Sequence, residues 1–273
     1  MSDAWKSTTL TTEEKALHVL ADLSGKRWLC RGESQHFKEL LPTIDRDKGQ
    51  NLSRLMKLRR ERTSINVFRS TARFFADQGE RGALGDDFIA LMVLRHYGVP
   101  TRLVDWSWSP YVAAYFAVCC DDEKDGRIWS FDEPRYEQVG KQQWRKWPET
   151  TKDGSGEPEK FDANLTAFAL KNPPDWFICG FYPQGFPRQG AQQSVYTVTA
   201  RFGRDHAEKI ANLLAEDIHY HLYAVSARLK PRLRRILHEE HGIWRGSLFP
   251  DSAGAAETTV RTAFPNWDRR VRS

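Results

Sequence analysis

Four cysteines and three methionines are all the sulfur in this chain of 273 residues. Cys30, Cys119, Cys120 and Cys179 show no C-x-x-C spacing and two of them are adjacent, which argues against a zinc site and against a disulfide framework. Each lies among apolar neighbours, as free thiols do in a reducing compartment. No run approaches the ~18 apolar residues that a membrane-spanning helix needs. The opening segment, MSDAWKSTTLTTEEKALHVL, lacks the basic-then-apolar layout of a signal peptide. These absences lead us to expect a cytoplasmic protein with no membrane partner. There is also no Walker A loop, no G-x-S-x-G elbow and no G-x-G-x-x-G turn. The eight histidines form no H-E-x-x-H. His219 and His221 alternate on one predicted strand without an evident third ligand, so no metal is expected.

Aromatic residues are plentiful: ten tryptophans and fifteen phenylalanines argue against disorder. The length suits one large domain or two small ones. Against 36 acidic residues stand 41 basic ones, a net charge of +5 that permits an anionic ligand without demanding one.

Turn and cap residues divide the chain. Thr11 or Thr12 can cap a helix over 11–23, with Glu13 and Glu14 at the positive end of its dipole. KRWLCRG predicts a short strand, residues 32–50 a loop in which LPTIDRDKG is an exposed excursion, and 52–78 one long charged helix or two. FIALMVLRHYG reads as a buried helix stopped by Gly98 and Pro100. TRLVDWSW then extends, and Ser109-Pro110 opens a helix whose Ala113, Ala114 and Ala117 allow close packing on a sheet. Further strands are predicted at 126–132, 192–200 and 218–226, and a helix from Pro231 to Gly242. The polar stretch 133–172 reads as an inserted loop and 252–273 as a flexible tail. The pattern is a single α+β domain over 1–251, with a mixed or antiparallel β-sheet core and a helical layer.

Two stretches concentrate candidate chemistry. In CRGES, Arg31 at a strand end can fork two bonds to a phosphate or carboxylate while Gly32 leaves room for a ligand, although a salt bridge explains the same arginine. In TRLVDWSWSP, Arg102 and Asp105 are charges among apolar residues and need a partner, either each other or a ligand. Ser107 and Ser109 lie two apart, so in an extended segment both hydroxyls face one side. They can hold a ribose, or serve as a turn bond and a helix cap with Trp106 and Trp108 in the core. His96 can be a base or a structural residue. The basic run Arg228, Lys230, Arg232, Arg234, Arg235 can contact nucleic acid or form a solvated face.

YGVPTRLVDWSWSPYVAAYFA, with CRGES before it and PRQGAQQSVYTV and GIWRGSLFPD after it, resembles the FRG domain family over about residues 26–251. Cys30 stands where the family's aromatic residue is usual. The family is widespread in bacteria and phages. More distantly, Arg31 and Ser107-Trp108-Ser109 with Ala113 and Phe116 are similar to the first two elements of arginine-serine-glutamate ADP-ribosyltransferases. That likeness implies an ADP-ribosyltransferase-like fold and NAD as substrate. It implies diphosphate on Arg31, nicotinamide against Gly32, ribose on Ser107, and stacking on Trp106, Trp108 or a tyrosine. Arg102 and Ser109 complete the expected cofactor-binding set. Gln192 or Gln193 stands where the family's glutamate is expected. A glutamine cannot carry the charge that stabilises an oxocarbenium-like state. Asp105 is then the first choice for that charge, ahead of Glu33 and Asp251. The implied function is transfer to a macromolecular target, protein or nucleic acid, in a toxin or antiphage role with an antitoxin partner. A nucleotide- or nucleic-acid-binding module and an NAD hydrolase are the alternatives.

Overall fold

Local signals set the order of elements. The computed structural model describes residues 5–46, 49, 51–74, 80–145, 175, 177–180, 185–251, 255–256, 259 and 263. After a short strand, β1 (Ser7–Leu10), Thr12 caps α1 (Glu13–Ser24) by accepting from the Lys15 amide. β2 (Trp28–Glu33) follows. Ser53 caps α2 (Arg54–Ala72), one continuous helix, and Asp86 caps α3 (Asp87–His96). Gly98 takes the left-handed φ of +81° that stops α3. β3 (Leu103–Ser107) leads to α4 (Pro110–Val118), with Ser109 as cap and Pro110 at its first turn. Then come β4 (Gly126–Asp132), α5 (Glu133–Arg145), β5 (Phe177–Gly180), α6 (Pro187–Gln192) and β6 (Ser194–Thr199). α7 (His206–Leu214), β7 (Tyr220–Val225), α8 (Lys230–Glu239) and the short α9 (Arg245–Leu248) complete the fold.

The strands form one mixed sheet in the order β1-β7-β4-β2-β3-β6-β5. β1 and β7 are parallel and every other pair is antiparallel. Alternation along the strands sends side chains to two helical layers. On one face α1, α4 and α8 bury Leu20, Ala113, Ala117 and Leu233 against Cys30 and Ile128, while α2 and α3 cover Leu103, Tyr196 and Val198. On the other, α5 and α7 cover Leu29, Val104, Trp106, Trp129 and Phe131. The α+β class, the mixed sheet and the helical covering follow the sequence pattern. No helix among the described residues is long and apolar enough to cross a membrane.

Several expectations need correction. The described part of LPTIDRDKG is not an exposed excursion, because Pro42 is buried and Ile44 and Asp45 are buried in a short 3-10 turn. The segment expected as a polar insertion begins as α5, whose Tyr136 packs inward and donates to the Phe177 carbonyl at 3.3 Å. Residues 146–172 lie outside the described ones. Cys120 is exposed, unlike Cys30. Of the expected tail, only Ala255, Ala256, Thr259 and Ala263 are described, and they are helical.

The basic run at α8 is largely structural. Lys230 is buried, its ammonium donating to the carbonyls of Ser34, Cys120 and Asp121. Arg232, Arg234 and Arg235 pair with Glu13, Asp122 and Glu239. Of the two histidines expected on one strand only His221 lies in β7, hydrogen-bonded to Thr8, whereas His219 sits in the 3-10 turn before it and pairs with Asp132.

Candidate functional site

β2 and β3 pair at one register, Cys30 opposite Ser107, although β2 pairs with β4 from Trp28 to Glu33. Beyond Cys30 the two strands part, and the Arg31 guanidinium spans the gap. Its Nη1 donates to the Asp105 carbonyl at 2.8 Å and to Asp105 Oδ2 at 3.1 Å, and its Nη2 to Glu33 Oε1 at 3.4 Å. A side chain thus satisfies a strand carbonyl that the backbone ladder leaves open. The gap opens on a cavity of about 270 Å³ lined by Arg31, Arg95, Asp105, Ser107, Phe116 and Gln192, among others.

Asp105 is held from two sides. Arg95, in the last turn of α3, donates through Nε to Oδ1 and through Nη2 to Oδ2, the latter at 3.2 Å. Burial opposes ionisation of Asp105, but the charges of Arg95 and Arg31 outweigh it and hold the carboxyl well below the usual range. For Arg31, burial opposes the charge while Asp105 and Glu33 more than restore it. Arg46 approaches Glu33 at 3.6 Å, with burial and the charge of Arg31 lowering its own proton affinity. Arg31, Arg46 and Arg95 therefore face Asp105 and Glu33, leaving one positive charge over. Arg31 Nε is buried and meets no hydrogen-bond acceptor among the described residues. An unsatisfied donor within a net positive cluster is what a phosphate or carboxylate oxygen would complete.

Of the residues expected in the site, Arg31, Asp105, Ser107 and Gln192 come together around the cavity. The rest divide differently. Gly32 lines the cavity, but its reason is packing: an added Cβ would lie 1.8 Å from the Ala113 carbonyl oxygen and 2.7 Å from the Ala117 nitrogen. Arg102 is not a ligand-binding residue, nor is it paired with Asp105. It forms a buried pair with Glu61 of α2, donating from Nε at 2.9 Å and from Nη2 at 2.5 Å. Arg102 lies just ahead of β3 and meets α2, whereas Asp105 lies within the strand and meets Arg95 of α3.

Trp106 also lines the cavity, but it is 2% exposed, donates its indole N–H to Thr197 Oγ1 at 2.8 Å and packs edge-on against Phe131, which leaves little of its ring to a ligand. Trp108 packs at the edge of the same layer, near the Arg27 guanidinium. Ser109 is the helix cap, and Ser107 donates to the Gln192 carbonyl at 2.7 Å while accepting from the Ser109 amide at 3.0 Å. Both hydroxyls are engaged by backbone. Gln192 ends α6 rather than opening β6, and its amide donates to the Leu248 carbonyl at 3.0 Å. Gln193 is the left-handed cap of α6. The alternative carboxylates are also taken: Glu33 accepts from the Trp129 indole at 3.0 Å, and Asp251 accepts from Arg188.

Arg95 and Arg46 were not anticipated. Both were legible only as basic residues, one in the last turn of a helix and one in a loop. Glu61 left a clearer mark, an acid on the inward stripe between Leu58 and Ile65.

Two imidazoles, the buried His206 and the half-buried His96, make this region sensitive to acid. His206 shares a 2.8 Å hydrogen bond with Thr197 Oγ1, and His96 a 2.5 Å bond with the Tyr196 hydroxyl. Burial, helped by the charges of Arg31, Arg46 and Lys209, pushes His206 down to about 3, and burial pushes His96 down to about 4. The unfolded chain takes up these protons near pH ~6.5. Below that value and above about pH 4 the unfolded state holds more protons, so stability must fall with falling pH, by up to about 1.4 kcal/mol per pH unit for each histidine. Urea unfolding at a series of pH values should show this slope, and His206→Gln should reduce it. A slope unchanged in the variant would contradict the assignment.

Residues 26–126 match the family model of the FRG domain. The matched stretch runs from just before β2 to the start of β4 and contains Arg31, Arg95, Arg102 and Asp105, but not Gln192 or Asp251. No curated protein and no solved structure matches the chain.

Proposed function

We propose that this chain, which carries an FRG domain over residues 26–126, binds the nicotinamide end of NAD at the gap between β2 and β3 and transfers its ADP-ribosyl group to a macromolecule. The observation that carries the reading is Arg31, a buried guanidinium with a free Nε donor, beside an ionised Asp105 at the edge of a cavity. The cavity of about 270 Å³ lies just below the ~300–1,000 Å³ typical of ligand sites. It suits a nicotinamide riboside, with the diphosphate near Arg31. Phe116 and Val112 supply the apolar wall together with the edge of Trp106.

Asp105 is the side chain that meets the developing positive charge. Cleavage of the glycosidic bond sends its electron pair to nicotinamide and leaves an oxocarbenium-like ribosyl cation, which a nearby carboxylate stabilises. Because Asp105 stays ionised to low pH, it serves as an electrostatic partner rather than as a proton acceptor at neutral pH. The engagement of Asp105 by two arginines, and of the Gln192 amide by Leu248, favours the second reading, a nucleotide-binding module without turnover.

Incubation with NAD labelled in its adenylate, together with a cell lysate, separates the two. Transfer predicts free nicotinamide and a labelled macromolecule, both reduced at least tenfold in Asp105→Asn at unchanged melting temperature. Nicotinamide without labelled macromolecule would mean hydrolysis. Binding without nicotinamide would leave the binding module, and no binding would remove both.

A further inference from the structure

Beyond the cavity, we infer that the outward face of α2 docks single-stranded nucleic acid. This helix holds Arg54, Lys57, Arg59, Arg60, Arg62 and Arg69 against a single acid of its own, Glu61, while Arg69 pairs with Asp87 of α3 at 2.6 Å. Glu61 is spent inside the fold on Arg102, and Lys57 is buried on Asp45 at 2.5 Å. Arg59 and Arg60, with Arg73 just beyond the helix, are thus presented outward, and the helix itself offers no exposed acid to offset them. α8 is the contrast within the same chain: its exposed arginines are matched by Glu13, Asp122 and Glu239.

The same face exposes apolar groups that a merely solvated helix would not need. Met56 is 48% exposed, Val67 57% and Phe74 78%, and the Arg73 guanidinium lies 4.7 Å from the Phe74 ring centre. Arginine beside an exposed aromatic ring is the pairing that holds a stacked base next to its phosphate. From Arg59 to Arg73 the chain rises about 21 Å at helical spacing, enough to follow several phosphates. An anionic membrane would favour an apolar face segregated from the charges, whereas here the two are interleaved. The buried pairs to Asp45 and Arg102 keep α2 fixed to the scaffold, so the surface is preorganised.

The test uses the full chain and no dinucleotide, so its outcome is separate from that of the NAD reading. Fluorescence anisotropy with a labelled single strand of about 30 nucleotides should show binding that weakens with salt, with a log–log slope near −2 for three phosphate contacts. The R59A/R60A/R73A variant should lose at least tenfold in affinity and most of that slope, and R59K/R60K/R73K should keep the slope. Phe74→Ala should lose about fivefold with the slope unchanged. Absence of binding at low salt, binding that the triple alanine variant retains in full, or binding to phosphatidylserine vesicles in preference to the oligonucleotide would each overturn the inference.

Discussion

Arg102→Ala should remove about 3–5 kcal/mol of stability, among the largest losses expected of any single truncation in this chain. The partner carboxylate, Glu61, is fully buried and would be left with a charge that no solvent reaches. The Glu61 carboxylate accepts from both the backbone amide of Arg102, at 3.0 Å, and its guanidinium, so truncation removes the stronger of two kinds of donor. The guanidinium also lies over the Phe202 ring, 4.3 Å from its centre. Replacing both members with leucine and methionine should recover most of the loss, because the cost comes from the orphaned charge and not from the missing pair. Urea unfolding of the two variants gives the comparison. A loss below about 1 kcal/mol for Arg102→Ala would mean that Glu61 finds water or another donor, and the account of α2 as a fixed element would fail.

Gly32→Ala is the second large effect, and it separates two explanations of one residue. If the glycine were there to admit a ligand, alanine would block binding and leave the fold intact. The structure places the Ala113 carbonyl where the new methyl would go, and Ala117 just behind it, both backbone atoms of α4. Backbone cannot rotate away as a side chain can, so α4 must lift from β2, with its packing on Cys30 and Ile128. The expected cost exceeds the ~1–3 kcal/mol of ordinary overpacking. The variant should melt well below the parent or fail to accumulate as folded protein. A variant with the parent's melting temperature would contradict this packing.

The sequence's caps and breakers were the most readable part of the fold. Thr12, Ser109-Pro110, Gly98 and Gly242 act as expected, because each is a local event fixed by a few neighbouring atoms. What could not be read was the pairing of side chains over long separations. Arg102 and Asp105 look like a pair when only spacing is considered, but the approach of α2 to the residue ahead of β3 and of α3 to the strand itself gives Glu61 to one and Arg95 to the other. Trp106, although it lines the cavity, and Ser109 have their polar groups taken up inside the fold. Their partners, Thr197 and the Val112 amide, belong to the sheet and to the helix cap. Residues chosen for chemistry at the parting of β2 and β3 fared better. Arg31 and Asp105 do meet, since the gap itself is bridged by the arginine.

The most direct measurement of the central claim is the side-chain Nε–H resonance of Arg31, assigned by its loss in Arg31→Lys and followed by nuclear magnetic resonance during titration with NAD. Occupation of the gap between β2 and β3 predicts that this signal shifts in a saturable way and exchanges more slowly with solvent as the free donor gains an acceptor. A full titration that leaves the Arg31 signal unmoved would contradict the account, whatever NAD did elsewhere on the protein.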